Sequence, residues 1–77
     1  MTPQQAVERF MTAGTIYTMS GMFSVPKDPV LQKHLIDKVE THTGQKLTIE
    51  QIVEALTRLG FEPKISDADS TTYAREA

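Results

Sequence analysis

The chain has 77 residues, no cysteine, a formal charge of −2 and a pI near 5.5. Disulfides, thiol catalysis and cysteine-based zinc sites are therefore excluded, and general nucleic-acid binding, which needs a basic face, is disfavoured. A chain this short folds as one domain and buries only roughly 60% of the surface its unfolded form exposes. With no disulfide to add stability, a homodimer or a protein partner is the natural source of further buried surface. No apolar run approaches the ~20 residues needed to cross a bilayer. Met1 to Glu8 also lacks the basic and apolar regions of a secretory signal. The expectation is a cytoplasmic protein.

The first predicted element is a helix over about 3–13. Thr2 is suited to cap it, Pro3 is favoured at the first helical position, and Gln5 completes a Thr-x-x-Gln capping box. Ala6, Val7, Phe10, Met11 and Ala13 then repeat at helical spacing. From Gly14 to Val25 glycine, serine and β-branched residues replace helix formers. The runs Thr15–Met19 and Met22–Val25 flank Ser20-Gly21, a turn signal, so a short β-hairpin is predicted near 15–25. Pairing Met19 with Met22 places Thr18 opposite Phe23 and Ile16 opposite Val25. The alternative continues the first helix through this segment and makes the protein an all-α three-helix bundle.

Asp28-Pro29 supplies an N-cap and a first helical residue, and Leu31, Leu35, Ile36 and Val39 form a stripe that Gly44 ends. That gives a second helix over about 29–43. The third helix, about 49–59, is the best signalled. Thr48 and Gln51 form a second capping box, and Leu47 and Ile52 are spaced as a hydrophobic staple. Ile49, Ile52, Val53, Leu56 and Leu59 supply its buried face. Gly60 stands where a left-handed C′ residue belongs, with Phe61 placed to pack on Leu56. Residues 61–66 read as a possible strand added to the hairpin. Residues 67–77 are small and polar and read as a frayed tail with Tyr73 as its anchor, leaving 1–66 as the folded domain. The fold class expected is thus α+β, mainly helical.

Chemistry-bearing patterns are sparse. His34 and His42 are eight positions apart, about 80° around a helix, and lack the four-residue spacing of helical metal ligands. Ser20 has no G-x-S-x-G context, and the glycines form no phosphate-binding loop. Glu50 and Glu54 share a helix face, as solvated carboxylates commonly do. No catalytic, metal-binding or cofactor-binding residue is therefore predicted, and the protein is expected not to be an enzyme.

The second and third helices could form a helix-turn-helix with Gln51 at a base edge, but Glu50 and Glu54 bring the wrong charge to phosphates. Lys46–Ile65 (KLTIEQIVEALTRLGFEPKI) resembles the closing helix-plus-strand of some helix-turn-helix antitoxins. The resemblance covers about a quarter of the chain and implies a packing unit.

The unusual feature is a methionine and aromatic group: Phe10, Met11, Tyr17, Met19, Met22 and Phe23. Methionine is flexible and polarizable and suits a surface that adapts to a partner. These six residues are the expected contact surface of a non-enzymatic protein–protein interaction module, a small bacterial or phage regulator, inhibitor or assembly factor. A DNA-binding regulator is the alternative.

Overall fold

A computed structural model describes residues 1–19 and 21–75. Three helices, α1 (Pro3–Thr12), α2 (Pro29–Thr43) and α3 (Ile49–Arg58), accompany four strands: β1 (Thr18–Met19), β2 (Met22–Pro26), β3 (Glu62–Ser66) and β4 (Ser70–Ala74). The strands form one antiparallel sheet in the order β1-β2-β4-β3. This is a mixed α+β fold, and the all-α bundle is overturned.

The helices begin and end where the caps place them. Thr2 Oγ accepts from the Gln5 amide at 3.2 Å while Gln5 Oε1 accepts from the Thr2 amide at 2.9 Å. Thr48 and Gln51 repeat this reciprocal pair at 3.1 and 2.9 Å, satisfying amides that a helix start otherwise leaves open. Asp28 caps α2 by accepting from Val30 at 2.7 Å. After α3 the Gly60 amide donates to Thr57 and the Phe61 amide to Leu56, the two bonds of a Schellman ending. Gly60 adopts φ 91°, a left-handed conformation that glycine reaches without steric cost.

One core joins the three helices to the first hairpin. α1 contributes Ala6, Val7 and Phe10, α2 Leu35 and Val39, and α3 Ile52, Ala55 and Leu56. Leu47 and Phe61, which flank α3, are buried with them, as are Phe23 and Val25 of β2. Phe10 and Phe23 meet with ring centroids 5.8 Å apart. Leu31 is 47% exposed, so the buried stripe of α2 begins one turn later than its spacing suggests.

The hairpin register Thr18↔Phe23 and Met19↔Met22 is as expected. Its first strand is shorter than expected, and Ile16 does not pair with Val25. Thr15 to Tyr17 form a turn, closed by the Thr18 amide on the Thr15 carbonyl at 3.1 Å and the Tyr17 amide on Thr15 Oγ at 3.3 Å. Ser20, which the sequence places in the turn, lies outside the described residues.

The larger correction concerns residues 67–77. Ser70–Ala74 is not a frayed tail but the strand between β2 and β3, paired along its length with β2 and from Thr71 to Ala74 with β3. Asp67 turns the chain into it, its Oδ1 accepting from the Asp69 and Ser70 amides at 2.9 Å each. Thr71, Thr72 and Tyr73 are β-branched or aromatic and suit a pleated surface. The strand at 62–66 exists, but β4 separates it from the first hairpin. Residues 76 and 77 lie outside the described residues.

Candidate functional site

Alternation along β2 gives the sheet two different faces. Phe23 and Val25 point to the helices, and their partners across β4 are Tyr73 and Thr71. Met22 and Ser24 point the other way, opposite Ala74 and Thr72. Across the remaining pairs, Met19 and Ile65 join this second face. Met19 is 70% exposed, Ile65 60% and Met22 39%. Ser24 and Thr72 bridge the strands through hydroxyls 3.3 Å apart. The outer face therefore carries apolar and hydroxyl side chains, with methionines at the β1–β2 corner and Glu62, opposite Ala74 and bridged to Lys64 at 3.2 Å, on its β3 side.

The structure divides the six residues expected to contact a partner. Phe10 and Phe23 are fully buried and Tyr17 nearly so. These three hold the core together and are withdrawn from the contact surface. Met11 is half-buried against that core. Met11 and Met19 line an open groove with Gly14, Thr15, Ile16, Thr18 and Gly21, and Met22 adjoins Met19 across the hairpin. Ile16, the most exposed large apolar residue described at 82%, lines this groove, and Ile65, 60% exposed, stands on β3 at the other edge of the sheet. Neither belongs to the methionine and aromatic group. Ile16 follows Gly14-Thr15, which signals a turn, and Ile65 is the one large apolar residue of an otherwise polar strand.

The edge strands of the sheet are poorly suited to strand addition. β3 carries Pro63 and Lys64 and a register shift between Pro63 and Ile65, features that blunt an edge. β1 is only two residues long.

Elsewhere Val30 and Leu31 are exposed at the start of α2, at 76% and 47%, and α3 presents a charged surface. Exposed residues of α3 include Glu50, Gln51, Glu54 and Arg58. Arg58 donates to Glu54 Oε1 through Nε at 3.1 Å and Nη2 at 2.9 Å. The hairpin turn after β3 carries Asp67 and Asp69. Hydrogen bonds from the Ser70 and Asp69 amides, with Lys27 adding its charge, hold the Asp67 carboxyl below its usual range. Lys33 and Lys38 are about 140° apart around α2, so they do not form one basic face.

Tyr17 reaches His34, its hydroxyl 2.8 Å from Nδ1. Burial pushes the phenol above its ordinary pKa and keeps it protonated at neutral pH. Among the described residues no group of three histidine, aspartate or glutamate side chains is placed to hold a metal ion. None of the described helices is long and apolar enough to cross a membrane. The chain matches no protein-family model, and no curated protein or solved structure compares with it significantly.

Proposed function

We propose that this protein is a non-enzymatic protein–protein interaction module, a small regulator, inhibitor or assembly factor that acts by occupying a partner's surface. The observation that carries this reading is the outer sheet face, where Met19, Met22 and Ile65 stand exposed around the Ser24–Thr72 hydroxyl pair. Large apolar side chains grouped on one exposed face mark contact surfaces more often than isolated ones do. Methionines there adapt their shape to what they meet. The partner is a protein with an apolar patch of its own, and a second copy of the chain meets the same requirement. The setting proposed is the cytoplasm of a bacterium or a phage-infected cell.

The test replaces the exposed corner and leaves the core alone. Tagged wild-type protein and a Met19→Lys/Met22→Lys variant are compared for the proteins they retain and, by light scattering, for self-association. Association present in the wild type and lost in an equally stable variant supports the reading. Identical retention by both, or a wild-type monomer that retains nothing, overturns it.

A DNA-binding regulator is the rival, favoured by the succession α2, a turn through Gly44 and α3, as in a helix-turn-helix. Against it, Glu50 and Glu54 occupy the exposed surface of α3 and Arg58 is engaged by Glu54. A gel shift that weakens steeply with added salt would favour this rival.

A further inference from the structure

α2 carries His34, Lys38 and His42 at successive intervals of four residues. Eight residues span about 80° and about 12 Å of helix, so the three form an oblique stripe. The loop from Ala13 to Tyr17 lies alongside, and between them is a groove of about 410 Å³ that all three side chains line. Two contacts fix the histidines. Tyr17 holds His34 through Nδ1 at 2.8 Å, and the His42 ring packs on Phe10 with centroids 5.7 Å apart.

Among the described residues no aspartate or glutamate lines the groove, although the chain is acidic overall. Among the described residues Lys38 forms no salt bridge and His34 Nε2 no hydrogen bond. Among the described residues Tyr17 is the titratable group that lines the groove from the loop side, and Asp37 and Glu40 are neighbours along α2 that do not line it. The loop itself is shared. Gly14, Thr15 and Ile16 line this groove and also the groove occupied by Met11 and Met19. A chain lying in one therefore reaches the other across Ile16.

We propose that the His34–Lys38–His42 groove binds an extended acidic segment of the protein partner. Successive side chains of the stripe rise about 6 Å along α2. Alternate side chains of an extended peptide are spaced about 6.6 Å apart, so carboxylates at every second position match the stripe. A single phosphate is too short to engage its two ends. The inference rests on the protein-binding reading and adds the charge of the partner: acidic residues over α2, followed by an apolar stretch over Ile16 and the methionines.

The probe is a synthetic peptide of alternating glutamate and threonine, titrated at low salt, where charge attraction is least screened. Amide and imidazole resonances of the full-length protein report the contact. A peptide with glutamine for glutamate and inorganic phosphate are titrated alongside. Saturable shifts at Tyr17, His34, Lys38 and His42 are expected with the acidic peptide only. Lys38→Gln should weaken binding by about fivefold, while Lys33→Gln, outside the groove, should leave it unchanged. Absence of saturation, equal weakening by both variants, or saturation by phosphate but not by peptide overturns the inference. Peptide failure beside a positive Met19→Lys/Met22→Lys result removes the acidic segment and leaves the protein-binding reading standing. Peptide binding beside a negative result at the methionines removes the sheet face instead.

Discussion

Met22 and Phe23 are adjacent on β2 and meet opposite surroundings. Phe23 has no exposed surface and packs on Phe10, whereas Met22 is 39% exposed beside a Met19 that is 70% exposed. Both are large and apolar, so composition does not separate them. Strand alternation does, because one residue's shift sends a side chain through the sheet. The inner face stabilises the fold, and the outer face has no helix to justify its methionines. A cluster of large apolar residues in a sequence can thus be divided by strand alternation into a buried half and an exposed half.

Changes at the two faces should separate stability from association. The largest expected effect is removal of β4 by truncation after Asp69, which unpairs β2 and β3 together. Loss on the order of 5 kcal/mol, most of what a domain this small has, is expected. Thermal denaturation should lose its cooperative transition, and a tail that merely frays would leave it intact. Phe23→Ala should come next, at about 3–5 kcal/mol by denaturant titration. Met19→Ala, four positions earlier and on the outer face, should change stability by no more than about 0.5 kcal/mol. Comparable losses at both would erase the distinction between the faces.

The smallest effect concerns the turn that feeds β4. The Asp67 carboxyl sits below its usual range because it accepts from Ser70 and Asp69. A depressed folded-state pKa stabilises above the unfolded value, about 3.9, and that contribution fades as pH falls through the lower folded value. Asp67→Ala should therefore be less stable than wild type at neutral pH, with the gap closing below about pH 4. A gap independent of pH would show that the carboxylate charge does not matter there.

Elements with local signals were legible in the sequence. Capping boxes at Thr2 and Thr48, the Asp28 cap and Gly60 are short-range patterns, and each bounds a helix as expected. The Met19↔Met22 register was also readable, from Ser20-Gly21 and the residues flanking it. β4 was hidden for a physical reason. Its Ser-Thr-Thr-Tyr-Ala sequence has strand propensity but little apolar weight, and it is ordered by pairing with β2, more than forty residues away. The Asp67 turn followed by β-branched residues was the available signal. The methionine and aromatic group was legible as unusual, but its division was not. Burial of Phe23 depends on which strand face meets the helices, and that of Phe10 and Tyr17 on how α1 and the turn before β1 pack against the core. Likewise, His34 and His42 diverge around α2, yet both line the loop groove because it runs obliquely across the helix.

The measurement closest to the central claim compares wild type with Met19→Lys/Met22→Lys for denaturation and association on the same samples. Unchanged unfolding with association abolished is the predicted result. An unfolded variant, or one that associates as the wild type does, would contradict the assignment of the outer sheet face as the contact surface.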